Sequence, residues 1–286
     1  MKYCFAKMHG AGNDYIYFDG FNGKPVPRDP ENASVTLSRR GFSVGADGLI
    51  LILPDPEADA FMRIFNADGS EARMCGNGIR CVSKYLYDFG ICKKNVLSIR
   101  TISGIKTLKL ILNEAGLVAA VVVDMGIPEF TPEKIPVLAK GKSSFDIPVN
   151  AGEYGMLNVD CVSMGNPHAV CFHDNIDEVE LKKIGPQIGC NGIFPDGANV
   201  EFVQVLDSRS LKFRVWERGS GETLCCGTGG CAAVAVACEK GICPYGEKIN
   251  VYAKGGNLEI VYQKDGHIFM TGPAELSYIG EVEIND

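Results

Sequence analysis

Along the first half of the chain, apolar and polar positions fall into short β-like runs broken by glycine, with one stretch of helical spacing between them. The opening K-Y-C-F-A-K-M-H-G and residues 15–19 read as two strands around the turn at 10–14, and residues 49–53 and 61–65 read as two more. After Cys75 the period changes. Ile79, Val82, Leu86 and Phe89 are spaced 3, 4 and 3 apart, one face of a helix that stops at Gly90. Residues 96–125 return to the strand pattern as a meander, with turns near Gly104 and at 113–116. Residues 127–136, I-P-E-F-T-P-E-K-I-P, hold three prolines and read as a connection between domains.

The second half repeats the first. Gly165-Asn166 corresponds to Gly12-Asn13, and F-P-D-G-A-N at Phe194 corresponds to F-S-V-G-A-D at Phe42. Arg214, Glu222, Cys226, Gly227 and Gly229 match Arg63, Glu71, Cys75, Gly76 and Gly78, each 151 residues apart, and Gly241 matches Gly90 at the same offset. Such self-similarity marks a duplicated structural unit. In the second copy the helix after the cysteine reads C-A-A-V-A-V-A-C, apolar on every face, so it has to be buried on every side. The expected fold is α+β: two homologous pseudo-symmetric domains, each a barrel-like, mostly antiparallel sheet around a central helix, with the active site in the cleft between them. The domain boundaries expected are 1–127 and 128–273.

Composition adds limits. The chain has 286 residues, enough for two domains, and is 46% hydrophobic and 22% charged. Its net charge of -7 argues against a nucleic-acid partner, and no apolar run approaches a membrane-spanning length. With no signal-peptide pattern at the start, the expected location is the cytoplasm, where the 12 cysteines stay reduced. Their spacing contains no C-x2-C pair, so no metal site is expected. Cys161, Cys171, Cys190 and Cys238 read as small buried apolar residues.

Cys75 and Cys226 differ from the others because each precedes a Gly-rich turn that opens a helix. Backbone N–H groups there favour a thiolate or a bound carboxylate. Two such thiols on opposite faces of one carbon suit inversion of a stereocentre, one thiolate removing a proton while the other thiol donates one. Gly76-Asn77-Gly78 and Gly227-Thr228-Gly229 would supply donors to the reacting carboxylate. Arg63 and Arg214 read as ion-pair partners of Glu71 and Glu222. Asn13, Asn166, Asn199 and His168 taken singly fit turns and packing as well as ligand binding.

At these residues the sequence resembles the diaminopimelate epimerase family. The blocks that carry the resemblance are M-H-G-A-G-N-D at Met8, F-N-A-D-G-S-E at Phe65, M-C-G-N-G-I-R-C at Met74, S-M-G-N-P-H at Ser163, G-A-N at Gly197 and E-R-G-S-G-E-T-L-C-C-G-T-G at Glu217. The resemblance implies a cofactor-independent epimerase interconverting LL- and meso-diaminopimelate for lysine and peptidoglycan precursors, with no cofactor and no metal. It implies Cys75 and Cys226 as the acid/base pair, assisted by His168 and Glu217. Asn13, Asn66, Asn166, Asn199, Glu217 and Arg218 are implied to hold substrate charges, with Gly76, Asn77, Gly227 and Thr228 at the reacting carboxylate. It also implies that residues 274–286 return to the first domain, and a homodimer is a further expectation. Where some relatives carry glutamine, this chain has Gly48, so no side-chain contact is carried over there. The alternatives are a proline- or hydroxyproline-type racemase and a non-catalytic amino-acid-binding protein.

Overall fold

The computed structural model describes residues 1–139 and 143–284, so the last two residues of the 274–286 segment lie outside the described residues. The chain divides into two units, 1–123 with 271–286, and 124–270. The first contains β1 (Lys2–Gly10), β2 (Asn13–Asp19), α1 (Pro30–Leu37), β3 (Gly48–Leu53), β4 (Ala60–Asn66), β5 (Glu71–Ala72), α2 (Gly76–Asp88), β6 (Val96–Thr101), β7 (Gly104–Leu112) and most of β8 (Val118–Gly126). The second contains β9 (Ile147–Asn150), β10 (Met156–Ser163), β11 (Pro167–Phe172), α3 (Leu181–Gly189), β12 (Asn199–Asp207), β13 (Ser210–Glu217), β14 (Gly221–Thr223), α4 (Gly227–Glu239), β15 (Ile249–Ala253), β16 (Gly256–Tyr262) and the start of β17 (Ile268–Pro273). The last strand, β18 (Glu275–Glu283), belongs to the first unit and pairs antiparallel with β1.

The two units have the same strand order. In the first, β1 pairs antiparallel with β2, β2 parallel with β3, β3 antiparallel with β4, and β4 with both β5 and β6. In the second, β10, β11, β12, β13, β14 and β15 repeat those pairings and directions one for one. β9 lies antiparallel on β10 as β18 lies on β1. The strands surround a helix in each unit: α2 touches β1, β2, β7 and β18, and α4 touches β10, β11, β12, β13 and β16.

Burial explains the choice of residues for these helices. Cys231 through Ala237 of α4 are fully buried and Cys238 nearly so, as an all-apolar helix inside a sheet must be. α2 buries Ile79, Cys81, Val82 and Leu86 completely. Phe89, expected on that buried face, is 41% exposed instead, because the helix ends at Asp88; its ring stacks on Tyr85, and Gly90 turns the chain at φ 75°. α1 and α3 pack outside the strands, on β3 and β4 and on β9, β12 and β13. α1 starts where the Asp29 side chain accepts from the Asn32 N–H at 3.1 Å and Pro30 fits the first turn. Cys190, expected to be buried, is exposed at the end of α3, whereas Cys161, Cys171 and Cys238 are buried.

Candidate active site

In the first unit the two-residue turn Ala11-Gly12, both with positive φ, closes the β1–β2 hairpin and delivers Asn13 to the start of β2. Cys75 has extended backbone and is the N-cap of α2, its sulfur accepting from the Gly78 N–H at 3.3 Å. Its thiol donates to Asn13 Oδ1 at 3.3 Å, and Asn77 Nδ2 donates to the same oxygen at 3.3 Å. Asn13 Nδ2 in turn donates to Asp47 at 2.7 Å, and Arg40 holds Asp47 at 2.9 Å. β1 comes this close to α2 because residue 10 is glycine: a Cβ there would lie 3.0 Å from the Asn77 carbonyl oxygen. Gly76 and Asn77 are buried in the first turn. Asn66 closes β4 opposite Gly48 and donates to Ser70 Oγ at 3.0 Å.

At Gly48 a Cβ would lie 2.2 Å from the Phe65 carbonyl oxygen and 3.0 Å from a Tyr15 ring carbon. The backbone as it stands therefore excludes any side chain at this position.

In the second unit Cys226 caps α4 in the same extended conformation, and its sulfur lies 3.3 Å from Thr228 Oγ1. Asn166 Nδ2 donates to that hydroxyl at 3.5 Å. Asn166 Oδ1 meets His168 Nε2 at 3.0 Å, and His168 Nδ1 meets Glu201 Oε1 at 2.7 Å, with both side chains of this last pair fully buried. Since Asn166 Oδ1 can only accept, His168 Nε2 carries a proton. Asn199 donates to the Pro167 carbonyl at 3.3 Å and accepts the Arg218 N–H at 2.8 Å.

Glu217 and Arg218 diverge although they are neighbours in sequence. Glu217 is hydrogen-bonded to Thr223 and to Cys226, while the Arg218 guanidinium reaches the Asp196 carbonyl. Gly227 is buried in the first turn of α4. The repeated arginines pair as expected, Arg63 with Glu71 at 2.7 Å and Arg214 with Glu222 at 2.8 Å.

The electrostatics around Cys226 differ from those expected of a helix N-terminus alone. Burial first, then the charges of Glu217 and Glu201, push its thiol well above the ordinary range, against hydrogen bonds from Thr228 and the Gly229 N–H. Burial likewise raises Glu217, which hydrogen bonds from Thr223 and Cys226 partly offset. The proton therefore stays on the Cys226 sulfur. Tyr15 and Glu201 are part of these two clusters and were not singled out from sequence. The signal for Glu201 is a lone charge inside the apolar run V-E-F-V. For Tyr15 it is the period-2 spacing from Asn13. Among the described residues no group of three or more His, Cys, Asp or Glu side chains is placed to hold a metal ion.

The architecture is shared with a hydroxyproline epimerase from Agrobacterium vitis, solved with bound trans-4-hydroxy-L-proline. Its TM-score is 0.72 with 17% identity, over 100% of this chain and 93% of that one. At that identity the likeness is one of fold. The sequence narrows it further, because the diaminopimelate epimerase family profile matches residues 5–131 and 160–277. A diaminopimelate epimerase of Methanococcus maripaludis (strain C5) is 48% identical over 281 residues, covering 98% of this chain and 99% of its own. Another from Acetivibrio thermocellus is 46% identical over 283 residues, covering 99% of both. The chain belongs to the diaminopimelate epimerase family.

Proposed function

We infer that this chain is an isomerase that interconverts LL- and meso-diaminopimelate, using Cys75 and Cys226 as the two acid/base groups. The observation that carries the chemistry is the matched pair of N-cap cysteines, at the same register in two copies of one unit. One thiolate removes the α-proton and the other thiol donates to the opposite face, so the parts serve both directions. The α-proton is far less acidic than a thiol, so the carboxylate needs stabilisation. The first turns Gly76-Asn77 and Gly227-Thr228 lie where negative charge is favoured, and donors of this kind contribute about 3–4 kcal/mol each where measured. Asn13 and Asn66 from one unit, and Asn166 and Asn199 from the other, supply neutral polar groups for the substrate. Arg218 is the partner for its distal carboxylate. Glu217, bonded to Cys226, adjusts that thiol, and His168 acts on it through Asn166 and Thr228.

The reaction serves lysine synthesis, and we expect a cytoplasmic homodimer. Among the described residues no helix is long and apolar enough to cross a membrane. Incubation with LL-diaminopimelate in deuterated water is expected to yield the meso isomer with deuterium at one α-carbon. Cys75→Ala and Cys226→Ala are each expected to abolish epimerisation while circular dichroism stays unchanged. Full activity in either variant would overturn the two-thiol assignment. Preferential turnover of proline, or tight binding of diaminopimelate without exchange, would favour one of the two alternatives.

A further inference from the structure

Asn13 and Tyr15 are two residues apart on β2 and so share one face of the strand. Asn13 accepts the Cys75 thiol at 3.3 Å. Tyr15 is 6% exposed and stands opposite Gly48 in the register of β2 and β3. Its ring occupies the space a side chain at 48 would need, with Cε1 3.0 Å from where a Cβ would be. Tyr17 packs edge-on against it, with ring centroids 6.4 Å apart. Held in this way on the face of β2 that meets Cys75, the Tyr15 hydroxyl interacts electrostatically with both Cys75 and Asn13.

We propose that Tyr15 is a positioning residue for the Cys75 sulfur, its phenolic O–H donating to that sulfur and so favouring the thiolate. The other copy of the repeat supports this role. His168 stands opposite Asn199 in β11 and β12 as Tyr15 stands opposite Gly48 in β2 and β3. Each copy thus places one ring with a polar hydrogen at the same register position: an imidazole that reaches Cys226 through Asn166 and Thr228, and a phenol set beside Cys75. Burial and then the nearby Cys75 sulfur push the Tyr15 hydroxyl well above its ordinary range, so it keeps the proton it donates. The other titratable groups near Cys75 are Tyr17 on β2, Cys81 on α2, and Asp47 through Asn13.

The catalytic consequence rests on the two-thiol reading, but the hydrogen bond can be tested without it. The measurement is the pH midpoint of carbamidomethylation at Cys75, followed by peptide mass spectrometry with exposed Cys190 in the same sample as reference. Tyr15→Phe is expected to raise the Cys75 midpoint by about one unit, a tenfold loss of thiolate at a given pH, and to leave Cys190 unmoved. Epimerisation kcat is expected to fall about tenfold with little change in KM. Genetically encoded 3-fluorotyrosine at position 15 keeps the ring and the hydroxyl but makes the phenol a stronger donor, and it is expected to lower the midpoint. An unmoved Cys75 midpoint in either folded variant overturns the proposal. If the midpoints move as expected while the unsubstituted protein shows no exchange with diaminopimelate, the two-thiol reading fails and the Tyr15 donation stands.

Discussion

Gly229→Ala tests the packing under Cys226 most directly. The added methyl carbon would lie 2.7 Å from Glu201 Oε1 and 3.3 Å from Cys226 Cβ. Glu201 has no room to retreat, because His168 Nδ1 holds that oxygen at 2.7 Å and Asn166 holds the other side of the imidazole at 3.0 Å. Relief has to come from α4, which is buried on all faces. Overpacking of this kind costs about 1–3 kcal/mol. Alanine in a helix returns about 1 kcal/mol relative to glycine. Because Glu201 cannot retreat, the upper part of that range, about 2–3 kcal/mol, applies, and the expected net loss is roughly 1–2 kcal/mol, or roughly 2–8 °C in Tm for a unit of this size.

Gly78→Ala is the internal control. Its methyl would meet Ile50 Cδ1 at 2.7 Å, the rotatable tip of an aliphatic side chain, so strain and helix propensity offset each other to within about 1 kcal/mol. Trp216, the only tryptophan, packs against Gly185 in the second unit and reports unfolding of Gly229→Ala in urea by fluorescence. Circular dichroism serves for Gly78→Ala. A Gly229→Ala protein as stable as the unsubstituted one, or a Gly78→Ala protein destabilised by as much as Gly229→Ala, would refute the reasoning.

Two further predictions concern buried titratable groups. Glu201→Leu leaves His168 Nδ1 buried without its partner and is expected to cost about 3–5 kcal/mol. Glu201→Gln keeps a hydrogen bond and is expected to cost about 1 kcal/mol; equal urea midpoints for the two variants would show that the pair does not support the fold. Burial raises the Cys81 and Cys243 thiols from 9.0 to about 11 and Cys238 to about 12, so the folded state holds these protons more tightly than the unfolded state. Their contribution to stability is full below pH 9.0 and is lost as pH rises through about 11, with fully buried Cys81 alone contributing about 3 kcal/mol. The urea midpoint is therefore expected to fall from pH 9 upward, and a flat profile to pH 11 would contradict this.

The strand runs, the α2 and α4 helices and the two capping cysteines were legible because each depends on local pattern: alternation, a 3.6 period, or a Cys-Gly start. α1 and α3 leave no such pattern in the sequence. They are short, eight and nine residues, and carry too few apolar positions to establish a helical period. The Asp29-Pro30 start of α1 is the one local signal available. The partners of the cysteines were legible only in part. Asn13 and Asn166 stand out through the repeat, but Glu201 acquires meaning only through the register that sets β12 beside β11 and brings His168 within 2.7 Å. The divergence of Glu217 and Arg218 was likewise hidden, because it depends on which face of the sheet each side chain takes at the end of β13.

The repeat makes the differences between the copies informative. The backbones of the two cysteine turns match, but four facing positions do not: Tyr15 against His168, Gly48 against Asn199, Ile50 against Glu201 and Asn66 against Glu217, the strand register setting Asn199 one residue along from the Asp47 that the sequence motif pairs with it. Two of these changes put a carboxylate near Cys226, Glu201 and Glu217, where the first copy has Ile50 and Asn66. Carboxylates at 201 and 217, together with burial, keep the proton on the Cys226 sulfur. Cys75, which like Cys226 faces a backbone N–H of its own first turn, has the Tyr15 hydroxyl beside it in place of those carboxylates. On the two-thiol reading, a pair that must alternate between acid and base is made inequivalent by this asymmetry, with carboxylates beside one sulfur and a phenol beside the other. That polarity comes chiefly from the strands facing the helices, since the helix starts share a Cys-Gly-x-Gly opening and differ only in Asn77 against Thr228.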